Sequence, residues 1–252
     1  MLVEGEELFL GADGCRGGWF YVTLSAEGVR AYGVARDASA LGELCAGVRL
    51  ALVDIPIGLK DSGEAERQCD RAARRVLGGP RAASVFRPPA RPALYLAAAD
   101  IGGDSYAAAC ARNHAATGKR LTRQAYAICG KIREIDGLLC ARPELRHVIC
   151  ESHPEVCFWA LNGGRATVHN KKRAAGRAER IAILEKYLPD AGAMFETAAK
   201  VHPRKEVGRD DILDALVCAV AARFGPARLR GLPAEPETDA RGLPMRILYP
   251  DL

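Results

Sequence analysis

"LFLGADGCRGGWFYVTL", residues Leu8 to Leu24, passes from an apolar run through a glycine-rich turn into a second apolar run. The first run ends on Asp13, set among Gly11, Gly14, Gly17 and Gly18. A tight turn calls for glycine and does not need a carboxylate, although an aspartate also suits one. With Gly28 to Val34 added, the segments Glu7–Asp13, Gly18–Leu24 and Gly28–Val34 are β-rich and separated by glycine-containing turns. They are expected to form an antiparallel meander.

Outward from this hairpin, "DASALGELCAG" (Asp37 to Gly47) has helical spacing, with Asp at its start and Gly at its end. "RLALVDIP" follows as a continuous apolar run, the mark of a central parallel strand, and ends on Asp54 before Pro56. Helices are expected over Ser62–Leu77, Asp104–Thr117 and Thr122–Cys140, with a proline-rich irregular stretch over Ser84–Ala99. "HVICE" (His147 to Glu151) restores a strand. After it, Ser152 and Glu155 fit a capping box for a helix that ends near Gly163. Further helices are expected over Arg173–Leu188 and Asp210–Phe224, and an edge strand at "MRILY" in the proline-rich tail. The alternation predicts an α/β chain with a mixed five-stranded sheet flanked by helices. It reads as one domain over residues 1–252, with a helical insertion at about 62–141 and a tail at about 226–252.

Composition fits a globular protein: of 252 residues, 49% are hydrophobic and 27% charged. "MLVEGEELFL" carries three glutamates, so no basic, apolar signal peptide is expected. No apolar run approaches the ~18 residues of a membrane span. A cytoplasmic location and no membrane partner are expected. The nine cysteines contain no C-x-x-C and read as small buried apolar residues. The net charge of +5 permits an anionic partner without requiring one.

Three carboxylates end strands: Asp13 the first, Asp54 the fourth and Glu151 the fifth. Side by side and parallel, these strands would deliver all three to the sheet edge where open α/β sheets bind ligands. The helix "GRDDILDALVCAVAARF" is apolar around most of its circumference yet carries Asp211 and Asp214 three apart on one face. A buried helix needs a partner for such carboxylates, either an arginine or a cation. Asp13 and Asp54 with Asp211 or Asp214, each from a different element, would suit hard Mg²⁺ or Mn²⁺ and metal-assisted phosphodiester hydrolysis. Taken singly, each has a plainer reading. Asp13 and Asp54 suit turns, Glu151 suits a helix start, and Asp210 suits the N-cap of the last helix.

In order along the chain, "GADGCRGGW", "VDIPIGL", "RQCDRAARRVLG" with "SVFRPPAR", "ESHPEVCFWALNG" and "DDILDALVCAVAA" resemble the family catalogued as domain of unknown function 429. That family is described as predicted RNase H-like nucleases. A more distant likeness is to RuvC-type Holliday-junction resolvases, which end their first and fourth strands on acids and carry D-x-x-D-A-L in a final helix. The resemblance implies an RNase H-like fold and a divalent-metal nuclease. Asp13, Asp54, Asp211 and Asp214 would be metal ligands and Glu151 a further catalytic acid from the family's own motif. Asp54 stands where the resolvases usually have Glu.

A nucleic-acid track can be drawn from the helix at 62–77, where Arg67, Arg71, Arg74 and Arg75 share one side. Arg81, Arg87 and Arg91 extend it, and Lys171 and Lys172 in "HNKKRAAGRAER" suit an opposite wall. The arginine stripe also reads as a solvated face partly neutralised by Asp70 and Glu64. Phe86 and Tyr95 are candidates for base stacking, whereas Trp159 suits the core. Two alternatives to a nuclease remain. One is a catalytically weak nucleic-acid-binding protein on the same fold. The other is a phosphotransferase of the sugar-kinase or actin type, for which this chain lacks the duplicated core and a second glycine loop. DNA or RNA, the cleavage mode and the oligomeric state are left open by the sequence.

Overall fold

The computed structural model describes residues 6–95 and 105–252. Strands β1 (Phe9–Cys15), β2 (Gly18–Ser25) and β3 (Gly28–Ala35) form the expected antiparallel meander. Asp37 caps the crossover helix α1 (Ala38–Ala46), its carboxylate accepting from Ala40 N at 2.8 Å, and Gly47 ends it. The helix leads to β4 (Leu50–Asp54), which lies parallel to β1. Strand β5 (Ile149–Glu151) lies parallel to β4. The sheet order is β3-β2-β1-β4-β5, so this is an α/β fold with a mixed five-stranded sheet.

Strand alternation sorts the side chains between two cores. Phe9, Val22, Leu24, Leu50 and Leu52 face helices α7 (Pro154–Leu161), α8 (Ala174–Leu184), α9 (Ala191–Val201) and α10 (Arg209–Ala222). Leu10, Ala12, Trp19, Ala51, Val53 and Ile149 face the other way, against α1 and α6 (Cys129–Ala141). Every residue of α10 from Ile212 to Ala222 is buried. That helix lies directly on β1 because Gly11 has no side chain: a Cβ there would stand 2.0 Å from Ala219 N and 2.2 Å from Ala215 O.

Between β4 and β5 the described residues form α2 (Gln68–Leu77), α3 (Arg91–Leu94), α4 (Ser105–Thr117), α5 (Arg123–Ala127) and α6. The helix expected from Ser62 begins only at Gln68. Gly63 has φ +94°, outside helical space, and Arg67 is extended. The helix expected over 122–140 divides at Ile128 into α5 and α6. Residues 96–99 of the expected irregular stretch, and Asp104, lie outside the described residues.

Other boundaries differ as well. Helix α9 has no counterpart among the expected helices, and α8 ends at Leu184, short of Leu188. The capping box expected at Ser152 and Glu155 is absent, because both side chains are used elsewhere. The Ser152 hydroxyl donates to Leu248 O at 2.9 Å, and Glu155 pairs with Arg180. Pro154 starts α7 instead. The "MRILY" strand is not an edge strand of the main sheet. As β7 (Ile247–Pro250) it pairs with β6 (Leu229–Leu232) in a separate ribbon, joined to the end of β5 by one bridge between Ser152 and Leu248. The nine cysteines are unpaired, and none is exposed. Among the described residues, no helix is long and apolar enough to cross a membrane.

Candidate metal centre

Asp13 and Asp54 are direct neighbours across the parallel β1–β4 pair. Alternation places them in phase with Phe9 and Gly11, and with Leu50 and Leu52, hence on the face covered by α10. The close seat of α10 over Gly11 puts Asp214, the residue before Ala215, beside them. One carboxylate oxygen from each of Asp13, Asp54 and Asp214 lies within 4.8 Å of the other two. Three acids from three elements thus converge at the C-terminal edge of the sheet.

Their electrostatics are those of crowded acids. Burial, then the charges of Asp54 and Asp214, raises the pKa of Asp13 well above the usual carboxylate range. Burial and Asp214 push Asp54 up to about 8. Asp214 is 1% exposed, and burial raises its pKa against the opposing pull of Lys171. The Lys171 ammonium donates to Asp214 Oδ2. Burial works against that charge, but Asp214, Asp13 and Asp54 outweigh it and raise the lysine's pKa. Asp214 Oδ1 is buried without a hydrogen-bond partner among the described residues. A buried carboxylate oxygen left unsatisfied is costly, and a hard cation is one partner that would satisfy it. The donor set is all oxygen, which suits Mg²⁺ or Mn²⁺.

Asp211 lies outside this triad. The N-cap of α10 is Gly208 rather than Asp210, and Asp211 Oδ2 accepts from Gly208 N at 2.8 Å. The acid that turns back onto the helix start is therefore Asp211, at the third helical position, and not Asp210. Burial, partly offset by that N–H, pushes Asp211 up to about 6, and its charge still reaches Asp13.

Glu151 does not join the triad either. It pairs in register with Val53, not Asp54, so it is in phase with the opposite core. There it forms a second cluster with Asp70 and Cys69, closed by Arg67. The guanidinium donates to both Asp70 oxygens, both Glu151 oxygens and the carbonyls of Ile57 and Gly58. Glu151 also accepts from Ile57 N at 2.7 Å. Burial pushes Glu151 up to about 7, with Arg67 pulling it down.

The expected arginine track is largely not a free surface. Arg67 is 2% exposed and wholly committed. Arg91 is buried against Asp61, Asp136 and Asp239. Arg74 pairs with Glu66 and donates to Val85 O. Arg87 is half-buried and donates to Gly63 O at 3.3 Å. Arg71 is exposed, as expected of a solvated position, but lies outside the cavity at the triad.

That cavity, about 440 Å³, has Asp13 and Asp54 in its wall together with Arg81, Phe86, Lys131, His153, Lys171 and Lys172. Arg67, Asp70 and Glu151 reach the same wall. Lys171 is thus an element of the acidic centre, while exposed Lys172 lines the same cavity. Phe86 faces the cavity. Tyr95 is tied to Asp136 through its hydroxyl at 2.6 Å, and Trp159 packs on Tyr249 with ring centroids 5.9 Å apart. The sequence reading passed over Lys131 and His153. Lys131 sits 4.9 Å from the Trp19 ring centroid and 3.1 Å from Glu134. His153 Nδ1 is buried without a hydrogen-bond partner among the described residues, and burial lowers the imidazole's pKa. The quoted "ESHPEV" held the only signal for it, a histidine directly after a strand end.

The chain matches, over residues 11–238, the family described as "Protein of unknown function (DUF429)", and it belongs to that family. No curated protein and no solved structure matches it.

Proposed function

We propose that this member of the family is an RNase H-like, divalent-metal-dependent nuclease that hydrolyses phosphodiester bonds of nucleic acid. The observation that carries the reading is the triad, in which Asp214 holds a buried oxygen without a partner among the described residues while Asp13 and Asp54 line a cavity with lysines on its wall. Asp13, Asp54 and Asp214 would hold Mg²⁺ or Mn²⁺, and Lys172 and Arg81 would receive the substrate's phosphates. Arg81 is held in place by donating to the carbonyls of Thr167 and Val168. Such an ion supplies Lewis acidity and a nucleophile drawn from water at neutral pH. The same reading places the protein in the cytoplasm, where nine free thiols persist.

The test is turnover on single- and double-stranded DNA and RNA with Mg²⁺, Mn²⁺ or Ca²⁺. Cleavage is expected with Mg²⁺ or Mn²⁺, and Ca²⁺, with its looser geometry, should support binding but little chemistry. Asp13→Asn should abolish cleavage. Lys172→Ala should flatten the dependence of log affinity on log salt by about 0.7–0.9. Full activity in excess chelator would contradict the proposal. Tight binding with no cleavage under any of these ions would favour a non-catalytic nucleic-acid-binding protein.

A further inference from the structure

We infer that the acidic centre takes a single divalent ion, and that the Lys171 ammonium fills the place a second ion would have in a two-ion site. This rests on the metal-dependent reading above and goes beyond it to the number of ions and the role of one lysine.

The first observation is how the two oxygens of Asp214 are used. Oδ2 receives the lysine, while Oδ1 is buried and unpartnered among the described residues. One oxygen is taken by a fixed cation and one is left for a mobile one. Lys171 also lines the cavity wall that Asp13 and Asp54 share, so its ammonium stands beside all three acids.

The second observation is that Lys171 is presented by an anchored loop. Thr167 donates to Glu155 at 2.9 Å and accepts from Arg180 at 2.8 Å. Glu179 accepts from the backbone N–H groups of Val168 and His169 at 2.7 and 2.8 Å. Arg180, fully buried and paired with Glu155, donates to His169 O. The loop then lies flat on α8 at Gly176, where a Cβ would stand 2.0 Å from Asn170 O and 3.0 Å from Lys171 N. A lysine that served only as a loose counter-ion would need no such seat.

The third is charge. Three carboxylates and one ammonium leave two formal negative charges, which one divalent ion neutralises. A second ion would leave the centre positively charged where Asp214 is 1% exposed, and uncompensated buried charge is strongly disfavoured. The phosphodiester would add one negative charge, for which exposed Lys172 stands on the same wall.

The experiment is Mn²⁺ binding to the full chain, read by calorimetric stoichiometry and by electron paramagnetic resonance, for wild type and Lys171→Met. A single Mn²⁺ without a spin-coupled pair signal is expected for wild type. In Lys171→Met a second ion and the coupled signal should appear. Two ions in wild type, or a single ion in both proteins, would overturn the inference while leaving the metal-dependent reading intact. No Mn²⁺ in wild type would remove that reading itself. A second measurement needs no variant: acylation of lysine amines with and without Mn²⁺, followed by mass spectrometry. Lys171 should stay protected when Mn²⁺ binds, and a severalfold rise in its labelling would mean that the ion displaces it.

Discussion

Two carboxylate clusters lie near the C-terminal edge of the same sheet. Asp70 and Glu151, with Cys69, bring ligand atoms within 4.8 Å of one another, and so do Asp13, Asp54 and Asp214. By residue type and spacing, both could pass for metal sites. In the first, Arg67 is bound to all four carboxylate oxygens. In the second, Lys171 takes one oxygen of Asp214 and the other has no partner among the described residues. Crowded acids therefore do not mark a metal centre by themselves. What distinguishes the two is how fully the chain's own cation is bonded to the carboxylate oxygens.

The largest effect that would test this contrast is on stability. Arg67→Met strands two buried carboxylates, and breaking a buried ion pair costs about 3–5 kcal/mol. Chemical denaturation should show a loss of that order. Lys171→Met should cost much less, because Lys171 keeps a third of its side-chain surface in water and its loop is anchored elsewhere. Equal losses for the two variants would erase the distinction between a closed and an open cluster.

A smaller effect is on the pH dependence of metal-free stability. Asp54 titrates near 8 in the folded chain and near 4 when unfolded, so between those values the folded chain holds a proton the unfolded chain has lost. Its contribution therefore declines as pH rises through that window. In chelator, the wild-type melting temperature should fall between about pH 5 and pH 8.5. Asp54→Asn should flatten that fall and melt higher at the alkaline end, by about 2–4 °C for each kcal/mol of repulsion relieved. The same variant should lose any thermal shift on adding Mn²⁺. A steeper pH dependence in Asp54→Asn would mean the triad is not under strain.

The smallest effect marks the border of the open cluster. Asp211 spends an oxygen on Gly208 N–H and acts on the triad only through space. Asp211→Asn should weaken Mn²⁺ binding by no more than about tenfold, equivalent to about 1.4 kcal/mol, whereas Asp214→Asn should abolish it. Comparable losses in a calorimetric titration would make Asp211 a ligand.

Much of this contrast was within reach of the sequence. The meander, α1 and β4 were legible because glycine turns, the Asp37 cap and the apolar run of β4 are local signals. Asp13 and Asp54 followed from them. Glu151 does end its strand at the shared sheet edge, but ending a strand says nothing about which face a side chain takes. That depends on register, and β5 pairs Glu151 with Val53, one residue short of Asp54. Arg67 and Asp70 are three apart and readable as a helical pair. The inward turn of Arg67, however, answers to Glu151, 84 residues away. In "NKKR" nothing local separates Lys171 from Lys172; the seat on Gly176 does. The N-cap of α10 is Gly208, two residues before Asp210, and that puts Asp211 at the third helical position, from which it reaches back to the Gly208 N–H.

The most direct measurement is anomalous diffraction from crystals of the wild-type chain soaked in Mn²⁺ near neutral pH. A peak is expected among Asp13, Asp54 and Asp214, with Asp214 Oδ1 as a ligand and no peak between Asp70 and Glu151. A peak at the Arg67 cluster, or none at the triad under saturating Mn²⁺, would contradict the account.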